Sequence, residues 1–233
     1  MATNDKVLNP NGTGIAPHQL ESASALATAT IYEAAGQQGA MDSGIHAIIP
    51  GMRVVGRALT VRSQPGDNLT LHAAVALAQP GDVIVADVAD FREAGHWGEI
   101  LTAAAQAKGV VGLVINGGVR DVEAAGRRSF PVFARAVSMK ATVKAATGKI
   151  NVPIVCGGVT VYPGDLVVGD DDGVVVVRPE RTEETLRAAV ERDNREADVM
   201  RRLTNGELTL DILGFRAVLE QQGIRLEGSG DGK

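Results

Sequence analysis

A basic and an acidic residue stand side by side just after the most apolar run of the chain. The run Val110–Ile115 is predicted to be a buried strand, and Gly117-Gly118-Val119-Arg120-Asp121 follows it. The glycines would allow a tight exit from the strand and a close approach of the backbone to a ligand. An arginine can bind the oxygens of a carboxylate or an enolate, and an aspartate can hold a divalent metal ion. Because small ligands usually bind at the carboxyl ends of strands in α/β proteins, this pentapeptide could supply both charges for chemistry on a small oxo-acid.

Glu99 is the second acidic candidate, and it lies at the start of a helix predicted over 98–108. A helix and the following strand separate it from Arg120, so positions 98–101 and 120–121 should meet at one end of the sheet. The backbone N–H groups at the start of such a helix can bind a substrate carboxylate. The residues alone leave an alternative open. Glu99 is also a favourable first-turn residue, and Arg120 with Asp121 is also a common combination of a surface cation and a helix cap.

Composition narrows the class of protein. The chain has 233 residues, of which 45% are hydrophobic and 22% charged, and this predicts a single globular domain over 1–233. The net charge of −5 argues against a nucleic-acid partner. No apolar stretch reaches the roughly 18 residues that a membrane span needs, and the N-terminus lacks an apolar signal core, so a cytoplasmic protein is expected. The single cysteine, Cys156, excludes an internal disulfide and is predicted to be a buried, inert thiol.

Turn residues and hydrophobic periodicity divide the chain into elements, between a loose arm at 1–16 and a C-terminal helical extension at 180–233. The predicted helices are His18 to about Gln38, 69–79, 98–108, a short helix opened by Asp121, 180–203 and 209–222. The predicted strands are 53–62, 83–86, 110–115, 131–136, 150–156, 158–162, 165–169 and 173–178. Helix and strand mix in the early half and strand dominates the later half. This favours an α/β sandwich with mixed strand directions over a regular doubly wound sheet.

The stretch from about 50 to 180 resembles the class II pyruvate aldolases that act on 4-hydroxy-4-methyl-2-oxoglutarate and 4-carboxy-4-hydroxy-2-oxoadipate. These enzymes belong to the superfamily of the regulator of ribonuclease activity A. The matching segments, in chain order, are Pro65-Gly66-Asp67-Asn68, Gly98-Glu99-Ile100-Leu101, Gly117 to Asp121, Val152 to Cys156, Pro163-Gly164-Asp165 and Asp170 to Val175. The resemblance implies an αββα sandwich similar to the swivelling phosphohistidine-type domain, with helical extensions at both termini.

The resemblance also implies roles for individual residues. Asp121 would bind Mg²⁺ or Mn²⁺, and Arg120 would contact the oxygen atoms of the substrate. Glu99 takes a position at which the aldolases carry aspartate. Glu196 matches a glutamate that family members supply from a neighbouring subunit, although a solvated helix face explains it equally well. The remaining implied substrate contacts are the backbone of Gly98, Glu99, Ile100 and Leu101, together with Asn68 and His96.

The implied activity is a divalent-metal-dependent lyase. It would cleave a 4-hydroxy-2-oxo di- or tricarboxylic acid to pyruvate and a second oxo-acid, and it would decarboxylate oxaloacetate as a side activity. Glu99 would orient the water that takes the proton of the C4 hydroxyl group, while Arg120 stabilises the enolate. Family members assemble as homotrimers or hexamers with the site at the subunit interface. The alternative function is a non-catalytic, protein-binding regulator of an RNA-degrading endonuclease, a class whose members are shorter and lack the extended C-terminal helix.

Overall fold

The computed structural model describes residues 14–224. These residues divide into two compact units, with the boundary between Ala189 and Val190. The predicted single domain over 1–233 therefore stays a prediction. Residues 1–13 of the predicted loose arm and residues 225–233 of the predicted extension lie outside the described residues.

The described residues contain eight helices, α1 to α8. In chain order they are Pro17–Ser24, Thr28–Ala34, Leu69–Leu77, Glu99–Ala107, Val122–Arg127, Pro179–Thr204, Thr209–Ile212 and Phe215–Gln221. The strands β1 to β10 are His46–Ala47, Val54–Arg62, Asp82–Phe91, Gly112–Val119, Val132–Val137, Lys149–Ile150, Ile154–Cys156, Val159–Val161, Leu166–Asp170 and Gly173–Val177. All of the strands and α1 to α5 belong to the first unit, and α6 begins there.

The main sheet has the strand order β1-β5-β4-β3-β2-β9-β10, and β6 pairs with β2. Strands β2 to β5 are parallel to one another, whereas β1, β9 and β10 run antiparallel to their neighbours. Ala40, shortly before β1, forms a bridge with Val175 of β10, so the two edges of the sheet approach each other and nearly close a barrel. The predicted α/β fold with mixed strand directions is confirmed, and the likeness to the swivelling domain stays an expectation.

Hydrophobic side chains from alternate positions fill both faces of the sheet. Ile84 of β3 joins a cluster with Leu71 of α3 and Leu101 of α4. The next residue, Val85, points to the opposite face and packs with the β7–β8 hairpin. Cys156 lies fully buried in that second cluster, and burial raises the pKa of its thiol. The predicted burial of this cysteine is therefore confirmed.

The predicted helix from His18 to about Gln38 is wrong in one respect, because two separate helices, α1 and α2, occupy this stretch. The break has a tertiary cause. The Arg53 guanidinium donates to the carbonyl groups of Ala23 and Leu26 at the end of α1. At the start of α2, the Asp170 carboxylate accepts the N–H of Thr28 at 2.9 Å and its hydroxyl at 2.5 Å. These distant side chains satisfy backbone groups that a continuous helix would have paired internally.

The predicted tight exit at Gly117 and Gly118 is also wrong, because both glycines lie inside β4. A Cβ atom on Gly118 would come within 2.4 Å of the Arg92 carbonyl oxygen and 2.6 Å of that of Ala94. The absence of side chains therefore admits a neighbouring segment of the protein's own backbone and not a ligand. That segment follows β3, which continues to Phe91, well beyond the predicted end.

The second unit, from Val190 onward, is helical. It contains the rest of α6 together with α7 and α8, which meet at Gly214 in a left-handed conformation (φ 71°) and so replace the single predicted helix 209–222. Neither α7 nor α8 has a buried residue. The large apolar side chains that stay about half exposed are Leu208, Leu213, Phe215, Val218 and Ile224. Across residues 14–224, none of the helices combines the length and apolar character that crossing a membrane would require.

Asp165, in the turn that precedes β9, is a fully buried carboxylate. Its Oδ2 accepts the N–H of Tyr162 at 2.8 Å, and Nη1 of Arg178 lies 3.4 Å from its Oδ1. Burial raises the pKa of Asp165 to about 6, although the Tyr162 amide and the Arg178 cation both act to lower it. The native protein therefore holds this proton up to a higher pH than the unfolded chain does.

We expect this carboxyl group to make the folded protein less stable as the pH rises from 4 to 7. The unfolded chain releases the proton near its ordinary pKa of 3.8, so over this range the native state binds more protons than the unfolded state. The free energy of unfolding of the native protein, relative to that of Asp165→Asn, should therefore fall by about 2–3 kcal/mol between pH 4 and pH 7. Urea titrations of both proteins at several pH values measure this difference. Parallel pH profiles would contradict the prediction.

Candidate active site

Arg120 and Asp121 connect the end of β4 to the start of α5. The backbone of Asp121 is left-handed (φ 57°, ψ 41°), a conformation that aspartate tolerates better than most residues. This turn directs the carboxylate to the start of α4, where Oδ2 accepts the N–H of Glu99 at 2.9 Å. The Nε atom of Arg120 lies 3.7 Å from the same oxygen. The structure therefore brings the start of α4 and the Arg120–Asp121 pair together, as their spacing in the sequence predicts.

Gly98, the N-cap of α4, makes this close approach possible. A Cβ atom at this position would lie 2.4 Å from Oδ2 of Asp121 and 3.1 Å from both Cγ and Nε of Arg120. Its φ of −150° is ordinary extended backbone, so the requirement for glycine here is one of space.

We expect Gly98→Ala to damage the site more than the fold. The new methyl group would displace the Asp121 carboxylate from the Glu99 amide, and a misplacement of this size can lower a catalytic rate by about 10²-fold. The matched control is Gly126→Ala in α5, where a Cβ would meet only the movable end of the Ile49 side chain at 2.9 Å. Steady-state turnover and thermal melting of both variants check the prediction. Equal activity in the two variants would contradict it.

The first turn of α4 can bind an anion. Asp121 occupies the N–H of Glu99, whereas the N–H groups of Gly98, Ile100 and Leu101 have no acceptor among residues 14–224. These amides lie at the positive end of the helix dipole, next to the Arg120 side chain. Of the four backbone donors predicted at 98–101, the Glu99 amide is therefore already bound to the Asp121 carboxylate, and three stay free for a ligand.

His96 and Asn68 hold the framework beside this turn. The His96 ring is completely buried. Its Nε2 accepts the N–H of Gly66 at 3.0 Å, so Nδ1 carries the proton and donates to the Gly118 carbonyl at 3.1 Å. Burial, which outweighs the effect of its backbone partners, lowers the pKa of His96 and keeps the ring neutral. A direct contact between His96 and a substrate stays a prediction, and the geometry favours a positioning role for the ring.

Asn68 lies next to the same segment and is buried. Its Nδ2 donates to the His96 carbonyl at 3.0 Å. Its Oδ1 is buried without a hydrogen-bond partner in the described part of the chain. A buried acceptor of this kind is costly unless a donor reaches it. The predicted role of Asn68 in binding a substrate stays a prediction.

Trp97 fixes the backbone of the Arg120 turn. The indole ring stacks on Phe130 with ring centroids 6.2 Å apart, and its Nε1 donates to the Thr102 hydroxyl at 2.9 Å. The Trp97 carbonyl accepts the N–H of Arg120 at 2.8 Å. A buried aromatic residue therefore fixes the backbone of Arg120, while the Arg120 side chain stays 41% exposed and can reach a ligand.

The side chain of Glu99 has a partner that the sequence reasoning missed. Nε of Arg128, at the end of α5, lies 3.2 Å from Oε1 of Glu99. No local pattern could have revealed this pair, because it depends on how α5 packs beside α4. The sequence offered only the prediction that a short helix begins after Asp121.

Glu196 belongs to the second unit and lies on α6. Its carboxylate forms an ion pair with Arg192, one turn earlier on the same helix, with Nε and Oε1 2.8 Å apart. Half of the Glu196 side chain is exposed. Its predicted role in a site shared between subunits stays a prediction.

The acidic groups near Arg120 can hold only a lightly coordinated metal ion. No group of three or more histidine, cysteine, aspartate or glutamate residues within 14–224 is arranged to bind one. Asp121 provides one carboxylate that is 44% exposed, with Oδ1 free of partners among the described residues. A donor set of one carboxylate completed by water suits Mg²⁺ or Mn²⁺, since Mg²⁺ keeps several of its waters, and it does not suit a structural zinc ion.

A sequence profile of the family described as RraA-like (Aldolase/RraA) matches residues 28–176. The chain belongs to this family. The matched segment of this RraA-like protein contains Gly98, Glu99, Arg120 and Asp121, and it ends before α6. The resemblance noted from the sequence motifs is thus confirmed at the level of the family.

Similar proteins agree with this assignment. One relative, from Halalkalibacterium halodurans, is named "Putative 4-hydroxy-4-methyl-2-oxoglutarate aldolase" and is 37% identical over 72% of this chain and 78% of its own length. The crystal structure of an uncharacterized protein from Pseudomonas syringae pv. tomato superposes with a TM-score of 0.77 at 32% identity, covering 84% of this chain and 92% of that one. Streptomyces coelicolor RraAS2, described as an unusual member of the RNase ES inhibitor RraA family, gives a TM-score of 0.70 at 28% identity, covering 80% and 98%.

Proposed function

We propose that this protein is a divalent-metal-dependent lyase that cleaves a 4-hydroxy-2-oxo di- or tricarboxylic acid to pyruvate and a second oxo-acid. The observation that carries the proposal is the contact between the Asp121 carboxylate and the Glu99 amide, with the Arg120 guanidinium beside it. It joins a carboxylate that could hold a metal ion, a cation and a helix N-terminus with free amides in one exposed site. The aldolase name of a relative that is 37% identical supports an aldolase-type reaction.

The residues present fit a hydrated Mg²⁺ or Mn²⁺ ion. Asp121 would hold it through the oxygen that does not accept the Glu99 amide, and water would supply the other ligands. Because Gly98 has no side chain, the Asp121 carboxylate can occupy this position without a clash. When bound, the ion would act as a Lewis acid on the 2-oxo group of the substrate.

The protein's own groups carry out the remaining tasks. The free amides of Ile100 and Leu101 bind the carboxylate of the pyruvyl portion. As the C3–C4 bond breaks, its electron pair forms the enolate of pyruvate, and Arg120 offsets the negative charge on the enolate oxygen. The C4 hydroxyl group loses its proton to a water oriented by Glu99, and C4 becomes the carbonyl carbon of the second product. Protonation at C3 completes pyruvate. Oxaloacetate would lose CO₂ through the same enolate, which makes decarboxylation the expected side activity.

We also propose that the protein self-associates, as a homotrimer or hexamer, with Glu196 reaching the site of a neighbouring subunit. The apolar side chains left exposed on and beside α7 and α8 support this proposal, since soluble proteins commonly cover such surfaces in an assembly. Sedimentation or light scattering measures the assembly state directly.

A second candidate function is binding to an RNA-degrading endonuclease without catalysis. The likeness to Streptomyces coelicolor RraAS2, whose description names an RNase ES inhibitor family, favours it. The long helix α6, which carries Glu196, argues for the enzyme, because the regulators of this superfamily are shorter.

Pyruvate release distinguishes the two candidates. The protein is incubated with Mg²⁺ or Mn²⁺ and one acid at a time. The acids are oxaloacetate, 4-hydroxy-4-methyl-2-oxoglutarate and 4-carboxy-4-hydroxy-2-oxoadipate. We expect pyruvate from at least one of these acids and its loss when EDTA is added. If no acid yields pyruvate while the protein inhibits a purified RNA-degrading endonuclease, the regulatory function replaces the enzymatic one.

A further inference from the structure

Arg128 contacts both the first and the last turn of α4. It caps the end of α5, and its main-chain carbonyl accepts the side-chain amide of Gln106 at 2.8 Å. Its Nε lies 3.2 Å from Oε1 of Glu99. Glu99 is the first residue of α4 and Gln106 is the next to last, so the arginine lies along the helix. The main-chain contact with Gln106 fixes the backbone from which the Arg128 side chain extends to Glu99.

The pair forms part of a row of charges of alternating sign. Arg128 contacts the Glu99 carboxylate, the backbone N–H of Glu99 binds Asp121, and Asp121 lies beside Arg120. All four side chains are between 38% and 44% exposed. Exposed ion pairs stabilise a fold very little, so a contribution to stability does not account for the arrangement. The charges do, however, set the electrostatic potential at the place where a cation and an anionic substrate would bind.

We propose that Arg128 is a positioning residue of the proposed aldolase site. It holds the Glu99 carboxylate at the rim of α4 and offsets its negative charge beside Asp121. This inference rests on the proposed function and adds a residue to it. The length of Glu99 matters, because an aspartate would keep the backbone bond to Asp121 but would end one methylene short of Arg128.

Removal of Arg128 should shift the affinities for metal and substrate in opposite directions. Without the guanidinium, the Glu99 carboxylate adds an uncompensated negative charge near Asp121. A divalent cation is then bound more tightly, whereas the oxo-acid anion is bound less tightly. A residue that served only to support the fold would weaken both or leave both unchanged.

The test measures Mn²⁺ binding by electron paramagnetic resonance and pyruvate release by steady-state kinetics in four proteins. These are the native chain, Arg128→Ala, Arg128→Lys and the control Arg127→Ala, which removes a neighbouring cation paired with Glu123 at 2.9 Å. For Arg128→Ala we expect the Kd for Mn²⁺ to fall about two- to ten-fold and the KM for the oxo-acid to rise by a similar factor. Its Tm should shift by no more than about 2 °C, and Arg128→Lys should recover most of both effects.

The outcomes separate this inference from the function on which it rests. If Arg128→Ala matches Arg127→Ala in both affinities, or if its two affinities move in the same direction, the inference is overturned while the proposed function stands. If the native protein neither binds Mn²⁺ nor releases pyruvate, both are overturned.

Discussion

Asp121→Asn should greatly lower metal-dependent turnover and leave the fold intact. Asparagine tolerates the left-handed backbone at this position (φ 57°), and its side-chain oxygen can still accept the Glu99 amide that now lies 2.9 Å away. The substitution therefore removes the negative charge and little else. Loss of a ligand that holds a Lewis-acidic metal ion costs several kcal/mol of transition-state stabilisation, so we expect kcat/KM to fall by about 10²–10⁴-fold.

Pyruvate release at saturating Mg²⁺, together with urea unfolding, checks this prediction. The matched control is Glu123→Gln, which neutralises a neighbouring carboxylate in α5 that pairs only with Arg127 among the described residues. We expect the control to behave as the native protein. If Asp121→Asn retains more than about a tenth of the native rate at unchanged stability, Asp121 is not the metal ligand.

Arg120→Ala should produce the second-largest loss. The Arg120 side chain packs beside Gly98 at the start of α4, and its backbone N–H donates to the Trp97 carbonyl at 2.8 Å, so the backbone that carries the guanidinium is fixed before the substrate arrives. Preorganised donors aimed at a developing oxyanion contribute about 10²–10³-fold to kcat. We expect a loss of this size, with a higher KM as well, because the same side chain would contact the substrate carboxylate.

Arg120→Lys and Arg127→Ala show whether the loss is specific. Lysine keeps the charge but loses the planar fork of donors, so it should restore only part of the rate. Arg127→Ala removes an exposed cation of α5 and should leave kinetics unchanged. A near-normal kcat in Arg120→Ala, measured under the same conditions, would remove Arg120 from the mechanism.

Local sequence patterns predicted most of the strands and the longer helices, because turn residues and alternating apolar residues mark them directly. They failed where distant side chains determine the backbone. The Ala-rich N-terminal stretch contains no helix breaker at Ala25 to Ala27, yet Arg53 and Asp170 supply caps there and divide the helix. Gly214 was a local signal for a helix break, but the single helix predicted over 209–222 ran through it.

The candidate site, too, could be predicted from the sequence only in part. The meeting of positions 98–101 with 120–121 follows from the order helix, strand and turn, and the structure has this arrangement. The sequence could not show that Asp121 would use one of the helix amides, that Gly98 is needed for space, or that Arg128 would bind Glu99. Each of these facts depends on the packing of α4 against α5 and on side-chain directions that no spacing rule contains.

The most direct test of the proposed site is a crystal structure of the protein with Mg²⁺ and oxalate, which mimics the enolate of pyruvate. We predict that the ion binds Asp121 at about 2.0–2.1 Å and that oxalate contacts Arg120 and the amides of Ile100 and Leu101. Oxalate and Mg²⁺ bound together elsewhere, with Asp121 free of metal, would contradict the assignment of this site.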